Sequence, residues 1–266
     1  MAYKRTFFFF YISFLITLSS FAQQVEVGLN AGGASYLGDL NQNNPVKISG
    51  ISAGAFIKLN FDPYWAVGLH YNYGKIKGAD SLSSNAQLND RNLSFYTPLN
   101  EASLLLHFNF FDLFTAGTRK RFTPYIFAGV GVVNFEPKTK YMGKEYLMRL
   151  YNTEGQSENY KSYAITIPYG GGIKYKKTES LSFFAQIGYR TPLTDYLDDV
   201  SGVYPSRNSW PNGGMGSILS DRSGEKTGVY LGDPGTQRGD FRKRDNYMFV
   251  GIGISYTFVS QKCFTF

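Results

Sequence analysis

Cysteine is almost absent from this sequence, and histidine is rare. Cys263 is the only cysteine among 266 residues, so no disulfide can form within the chain. The two histidines are His70 and His107. The sequence contains no paired Cys/His metal spacing and no phosphate-binding loop. These absences exclude a disulfide-stabilised domain and argue against zinc-dependent and nucleotide-binding enzymes.

Charged residues are also scarce. They make up 18% of the sequence, below the roughly 25% that is usual in soluble domains. Aromatic residues make up 17%, with 21 Tyr and 23 Phe, and there are 29 Gly. This combination favours a β structure whose outer face meets an apolar environment. Lys and Arg form no dense stripe, which argues against nucleic acid as a partner.

The N-terminus has the pattern of a secretory signal peptide. Two basic residues precede the apolar run 7–18, and the small residues Ser20 and Ala22 follow it. The run is shorter than the about 20 apolar residues that a spanning helix needs. We expect cleavage after residue 22, which lowers the net charge from +7 to +5 because residues 1–22 hold two basic and no acidic residues. Residues 23–266 are expected to form one barrel domain.

Period-2 alternation recurs along the rest of the chain and predicts strands. In 247–258, for example, Ile252 and Ile254 alternate with Gly253 and Ser255. Each alternating segment reaches the about 9–11 residues that a tilted strand needs to cross a bilayer. We count eight such segments: 24–36, 48–61, 65–77, 93–111, 123–135, 162–176, 180–191 and 246–258.

The connections between these segments alternate in length. Short turns on one side and long loops on the other are typical of outer-membrane barrels. The even strand number predicts that both termini face the periplasm. The short connections are 62–64, 112–122 and 177–179, and the long ones are 37–47, 78–92, 136–161 and 192–245.

The fold class is therefore predicted as all-β: an eight-stranded antiparallel up-and-down transmembrane β-barrel in the outer membrane. A soluble barrel is the alternative, but it would place apolar residues inside. Here Gly, Ser and a few charged residues share one face, which we assign to the narrow lumen. The aliphatic and aromatic face is assigned to outer-membrane lipid.

Alternation also assigns ionisable residues to the lumen. One interpretation makes Glu101 and His107 an acid–base pair. The favoured interpretation is a filling of paired charges, because buried charges need partners, with Glu101 paired to Lys174 or Arg190. Neither histidine falls in a long loop, so we predict no catalytic residue, no cofactor, no small-molecule substrate and no enzyme activity. The predicted lumen charge network is Glu26, Lys58, Glu101, Lys174 and Arg190.

The stretch "GYRTPLTDYLDDVSGVY" (188–204) follows the seventh predicted strand and carries a dense acidic motif. Its residues Asp195, Tyr196, Asp198 and Asp199 are expected just outside the membrane. Clustered carboxylates suit calcium, although the alternating spacing of a calcium loop is missing. The alternative, which we favour, is a loop fixed by Asp turns and by pairing to one of three arginines: Arg190, Arg222 or Arg238.

An ordered set of motifs resembles the PorG-like family of outer-membrane β-barrels of the Bacteroidetes, which belongs to the type IX secretion system. Besides 188–204, the matching stretches span nearly the whole mature chain in order. The ending departs from the usual pattern, because "VSQKCFTF" (259–266) adds eight residues after Phe258, the aromatic residue on which the last strand would be expected to end. The matching stretches are "ASYLGDLN" (34–41), "RNLSFYTPLNEASLLLHFNFF" (91–111), "KRFTPYIFAGVGVVNFEPK" (120–138), "NTEGQ" (152–156), "IPYGGGIKY" (167–175), "LSDRSG" (219–224) and "GTQRGD" (235–240).

The resemblance implies a structural outer-membrane barrel that associates, on the periplasmic side, with a ring of PorK- and PorN-type proteins. It implies no catalytic residues. The basic segment Arg119, Lys120 and Arg121 is then a candidate contact with the ring, whereas its alternative is a solvated turn. A second function class remains open: a stand-alone surface barrel whose outer loops bind a ligand or matrix.

Overall fold

The computed structural model of the protein describes residues 24–42, 44–113, 120–210 and 214–258. The predicted signal peptide, Arg119 and the tail after Phe258 lie outside the described residues.

Ten strands and three short helices make up the regular structure of the described chain. Three 3₁₀ turns, at Asp80–Leu82, Met148–Tyr151 and Arg207–Ser209, lie in the long connections. The helices are α1 (Ala86–Arg91), α2 (Met215–Ser220) and α3 (Gly224–Thr227). The strands are β1 (Gln24–Leu37), β2 (Ile48–Asn60), β3 (Trp65–Ala79), β4 (Ser94–Asn109), β5 (Phe122–Phe135), β6 (Lys138–Tyr141), β7 (Lys144–Leu147), β8 (Tyr163–Lys176), β9 (Leu181–Pro192) and β10 (Asn246–Phe258).

Eight of the strands close into an antiparallel barrel, in the order β1–β2–β3–β4–β5–β8–β9–β10. The barrel closes where β1 pairs with β10, in register from Val25↔Phe258 to Leu37↔Asn246. Apart from this closure and the inserted β6–β7 hairpin, neighbouring strands around the ring are consecutive along the chain. The predicted fold class, an eight-stranded up-and-down barrel with all eight predicted strands, is confirmed.

The alternating residues of each strand lie on two different faces of the barrel wall. On β10, Ile252 is 71% exposed on the outside, while Ser255 is 2% exposed in the lumen. Exposed aliphatic and aromatic residues cover the outer face of the other strands too, among them Leu29, Leu69 and Ile126. An apolar outer band around a polar interior is the pattern of a transmembrane barrel.

The two ends of the barrel differ. The end that we call the tight-turn end carries the start of β1, the end of β10 and the connections 61–64, 110–121 and 177–180. The opposite, loop end carries the four long connections, which are 38–47, 80–93, 136–162 and 193–245.

The long connections contain structure that alternation did not predict. Strands β6 and β7 form a hairpin closed by Met142 and Gly143, which both have positive φ, at 47° and 77°. Positive φ at both central residues defines the two-residue type I′ turn, and Gly143 adopts it without steric cost. Strand β6 pairs with β4 at Tyr96↔Lys138, so the hairpin extends the wall beyond the end of β5.

No helix in the described ranges is both long enough and apolar enough to span a membrane.

The two faces of β10 allow a direct test. In a Cys263→Ser background, Ile252→Cys should react with a maleimide that partitions into lipid, because the side chain faces the membrane. Ser255→Cys, which is nearly isosteric and buried in the lumen, should stay unlabelled. Mass spectrometry of the reconstituted protein measures both. The reverse labelling pattern would mean that the register of β10 is shifted by one residue.

Candidate functional site: the plugged lumen

A first layer of paired charges fills the lumen toward the tight-turn end. Glu26 on β1 accepts hydrogen bonds from the Lys174 ammonium at 2.8 and 2.9 Å. The Lys58 ammonium lies 3.3 Å from the same carboxylate, and Glu26 and Lys58 are direct register partners across β1 and β2. All three side chains are buried. One carboxylate thus holds two lysines from opposite sides of the barrel.

A second layer lies further toward the loop end and centres on Glu101. Its Oε2 accepts from Arg190 Nε at 3.1 Å and from the Tyr247 hydroxyl at 2.7 Å. Its Oε1 accepts from Asn72 Nδ2 at 3.3 Å and from the Ser103 hydroxyl at 3.2 Å. Four donors therefore compensate a carboxylate that has no solvent access.

Of the two partners expected for Glu101, the structure selects Arg190, since Lys174 binds Glu26 instead. The alternative acid–base pair of Glu101 and His107 does not form. The two residues lie six positions apart on β4, which corresponds to roughly 20 Å along a strand. His107 Nε2 is instead 3.0 Å from His70 Nε2, and the two rings stack at 5.1 Å.

A serine motif that the sequence analysis overlooked does not build a catalytic site either. Residues 50–54 read Gly-Ile-Ser-Ala-Gly, the Gly-x-Ser-x-Gly pattern of many hydrolases. That motif needs a sharp strand-to-helix turn, but here it lies within β2. The Ser52 hydroxyl faces the lumen and donates to the Gly33 carbonyl at 3.1 Å. The match is therefore a coincidence of strand composition.

Aromatic side chains occupy the space between the charged layers. Phe56, Tyr125, Phe127 and Phe184 form a buried cluster with Leu105. A Cβ at Gly28, which points into the same space, would meet the Phe56 ring at 2.3 Å. The interior along this part of the barrel is filled by side chains.

The longest connection, 193–245, folds back into the loop end and plugs it. Leu197 and Val200 belong to one buried cluster with barrel residues that include Leu99 and Phe135. The Thr97 hydroxyl donates to the Leu197 carbonyl at 2.6 Å, which ties the plug to β4.

The acidic motif therefore lies inside the plug, where Asp198 and Asp199 are buried, and its position just outside the membrane stays a prediction. Asp199, with φ of 70°, accepts from the Thr153 and Tyr160 hydroxyls at 2.5 and 2.6 Å. Asp195 accepts from Ser201 at 2.9 Å. Tyr196 stacks on Tyr160 with ring centroids 4.4 Å apart.

Among the three arginines expected to fix this motif, Arg238 is the one that does so. It is fully buried, donates to the Asp199 carbonyl at 2.7 Å and lies 3.9 Å from the Asp199 carboxylate. It also forms an ion pair with Glu154 at 2.9 Å. The other two are used elsewhere, because Arg190 binds Glu101 and Arg222 binds Glu225.

Asp198 joins a different group, which we call the acidic cluster: Asp39, Asp198 and Asp245. Each places one carboxylate oxygen within 4.8 Å of the others. The Tyr36 hydroxyl donates to Asp198 and lies 3.2 Å from Asp245 Oδ1. Backbone amides also compensate the cluster, as the Leu197 N–H donates to Asp245 at 2.9 Å.

Burial and the charge of nearby aspartates raise the pKa of all three carboxyls in the acidic cluster, and for Asp39 those neighbours are Asp240 and Asp195. Burial is the main cause for Asp39, whose pKa rises to about 7. For Asp198 and Asp245 burial again dominates, followed by the charge of a neighbouring aspartate. The raised pKa values favour the protonated carboxyls as the pH falls below neutral. A cation at this point would be held by these three residues rather than by Asp195 and Asp199.

The sequence analysis missed Asp39 and Asp245, although a signal was present. Asp39 follows the end of β1 and Asp245 precedes the start of β10. Because β1 and β10 pair up to Leu37↔Asn246, the two aspartates must meet at the seam.

The described part of the basic segment expected to contact a partner lies at the tight-turn end. Of its two described members, Lys120 lies with its ammonium 4.7 Å from the centre of the Phe111 ring. The Arg121 carbonyl accepts the Lys176 N–H at 2.7 Å, and both Lys120 and Arg121 are exposed.

The second charged layer predicts a large stability effect. Glu101→Ala leaves the Arg190 guanidinium buried without its counter-ion, which should cost about 3–5 kcal/mol. The measurement is urea unfolding in lipid vesicles, followed by the heat-modifiable shift on gels. Asp90→Ala, at an ion pair with Lys226 in which both side chains are exposed, is the control and should change little. Adding Arg190→Met to Glu101→Ala should recover stability, and a purely additive double variant would contradict the pairing.

The acidic cluster predicts a pH-dependent plug. A carboxyl whose pKa is raised in the folded state favours folding when protonated, so its contribution is full below about pH 4, the unfolded pKa. That contribution falls as the pH rises toward 7, the folded pKa of Asp39. Proteolysis within 193–245 should therefore be faster at pH 8 than at pH 5, with EDTA present and rates normalised to an unfolded substrate. Asp39→Asn should slow cleavage at pH 8, and protection that grows with pH would contradict this assignment.

Comparison with solved structures finds small outer-membrane barrels. The outer-membrane protein OprG of Pseudomonas aeruginosa is 13% identical, with a TM-score of 0.44, covering 90% of this chain and 97% of that chain. The attachment invasion locus protein Ail of Yersinia pestis is 10% identical, with a TM-score of 0.41, covering 89% and 99%. Neisserial surface protein A is 9% identical, with a TM-score of 0.41, covering 89% and 97%. These values carry no argument about function.

Curated proteins give no match to this sequence. A family model does match, over residues 4–232, which is most of the chain. The chain therefore belongs to the family described as a domain of unknown function, DUF6089.

Proposed function

We propose that the protein is a sealed, structural barrel of the bacterial outer membrane that acts through its two ends and not as a channel. The observation that carries this proposal is the filled interior. Two layers of ion pairs, the aromatic cluster and the plug follow one another along the lumen. An eight-stranded barrel has room for little more than such side chains. The apolar outer band supports a position in the outer membrane.

We also propose that the protein has no catalytic activity. Acid–base and nucleophilic mechanisms need a base within hydrogen-bond reach of a nucleophile or substrate. His70 and His107 contact each other inside the filled lumen, and Ser103 and Ser52 donate to other protein groups. The charged residues are engaged in holding the barrel together.

The more specific proposal is that this barrel is a component of the type IX secretion system. The ordered motif resemblance supports it. In that arrangement the tight-turn end faces the periplasm and contacts a ring of PorK- and PorN-type proteins. Exposed Lys120 and Arg121 offer positive charge there. Charge pairing of this kind is salt-sensitive, because the Debye length is about 8 Å at physiological ionic strength.

A stand-alone surface barrel is the second candidate, and one observation favours it. The plug exposes three consecutive apolar residues at the loop end: Val229, Tyr230 and Leu231, which are 61, 67 and 51% exposed. Exposed apolar patches on soluble surfaces mark binding sites. In this case the loop end, facing outward, would bind a ligand or matrix, and the tight-turn end would have no partner.

Gene deletion separates the two candidates. If the barrel serves secretion, its deletion should leave type IX cargo precursor in the periplasm without making the outer membrane leaky. Complementation with Arg119→Glu, Lys120→Glu and Arg121→Glu together should restore barrel insertion but weaken co-purification of the ring proteins in mild detergent.

The matched control is Lys177→Glu, which reverses one exposed charge in another turn at the same end. It should restore secretion fully. Normal cargo export in the deletion strain, together with no ring proteins in the pull-down, would contradict the secretion proposal and favour the surface barrel.

A further inference from the structure

A groove opens in the outer face of the wall near the loop end, on the side of β2, β3 and β4. Its volume is about 630 Å³. It lies where the regular pairing between two neighbouring strands ends. The pairing of β2 with β3 ends at Ser52↔Gly74, whereas β3 continues to Ala79 and pairs there only with β4. Beyond Gly74 the two strands stay close without this pairing, since the Lys77 N–H donates to the Ser49 hydroxyl at 3.2 Å.

The floor of the groove is apolar and belongs to the barrel interior. Leu40 and Phe95, both buried, line it, and the exposed Ile48 and Leu82 stand at its edge. A Cβ at Gly78 would meet the Phe95 ring at 2.7 Å and Leu40 at 2.9 Å, so the backbone lies directly on this floor.

The walls of the groove are strongly basic. Four lysines line it, and Glu145 is the single acidic residue among its lining residues. Glu145 is already engaged, by Lys138 at 3.0 Å and by the Tyr96 hydroxyl. Within the described part of the chain none of the four lysines has a carboxylate within 4 Å. They are Lys47, Lys75, Lys77 and Lys140.

Two of these lysines continue the lipid-facing side of the wall. On β3, exposed Leu69, Tyr71 and Tyr73 alternate outward, and Lys75 and Lys77 are the next two residues of the same face. The Lys75 ammonium lies 4.1 Å from the centre of the Tyr96 ring. Apolar residues, then tyrosines, then lysines are the order in which a wall crosses from hydrocarbon into the headgroup layer.

We infer that this groove binds the phosphorylated headgroup of an anionic lipid in the leaflet at the loop end. The ammonium groups would contact the phosphates, and the edge formed by Ile48 and Leu82 would contact the lipid beneath. With one carboxylate against four lysines, the lining has a net positive charge that complements a headgroup with two phosphates. Under the proposed orientation this leaflet is the outer one, but the binding itself does not depend on a role in secretion.

The test uses the full chain in nanodiscs of phosphatidylcholine doped with diphosphoryl lipid A, or with lipid A stripped of its phosphates. Lipid retention is measured by native mass spectrometry after delipidation in detergent. The variant is Lys75→Gln with Lys77→Gln. The matched control is Lys161→Gln with Lys243→Gln, which removes two exposed lysines at the same end outside the groove. Heat-modifiable migration verifies that each protein is folded.

Wild-type protein and the control should retain diphosphoryl lipid A, and the groove variant should bind it about tenfold more weakly. Equal retention by the groove variant and the control would overturn the inference. Equal retention of the phosphate-free lipid by wild-type protein would overturn it too. Inorganic phosphate is the soluble competitor, and full displacement of the lipid by it would mean a free-anion site instead of a lipid site.

Discussion

The structure depends on one constraint, which is that no strand edge can stay unpaired in lipid. Each unsatisfied backbone group in hydrocarbon costs several kcal/mol, so the sheet must close on itself. Here β1 and β10 close it through an unbroken register from Val25↔Phe258 to Leu37↔Asn246. With eight strands the enclosed space is narrow. Any charge that alternation directs inward must therefore find its partner inside.

The two charged layers and the plug meet the requirement that each inward-facing charge has a partner inside the barrel. Glu26 pairs with two lysines, and Glu101 pairs with Arg190 and also accepts hydrogen bonds from three neutral donors. The same seam brings Asp39 and Asp245 together at the loop end, where the plug adds Asp198. The apolar part of the plug, with Leu197 fully buried, seals the mouth that the closed wall leaves open. This filled interior supports the proposal that the protein functions through its surfaces.

Much of the fold could be predicted from period-2 alternation. In a strand between lipid and a polar lumen, apolar and polar residues must alternate along the sequence. The eight strands and the inward position of Glu101 and Arg190 were within reach. The choice of Arg190 over Lys174 was not, since it depends on strand register. The plug was missed because residues 193–245 have no periodicity, and its packing is decided by long-range contacts such as Thr97 to Leu197. The proximity of Asp39 and Asp245 could have been predicted, because the first and last strands, which end and begin beside them, must pair to close the barrel.

Whether the barrel is sealed is tested most directly by the conductance of the protein in a planar lipid bilayer. Purified wild-type protein, inserted in its heat-modifiable folded form, should leave the membrane current at baseline in concentrated potassium chloride. Both charged layers and the plug stand in the path of an ion. A steady ohmic conductance from the wild-type protein, rising in proportion to salt concentration, would contradict the account.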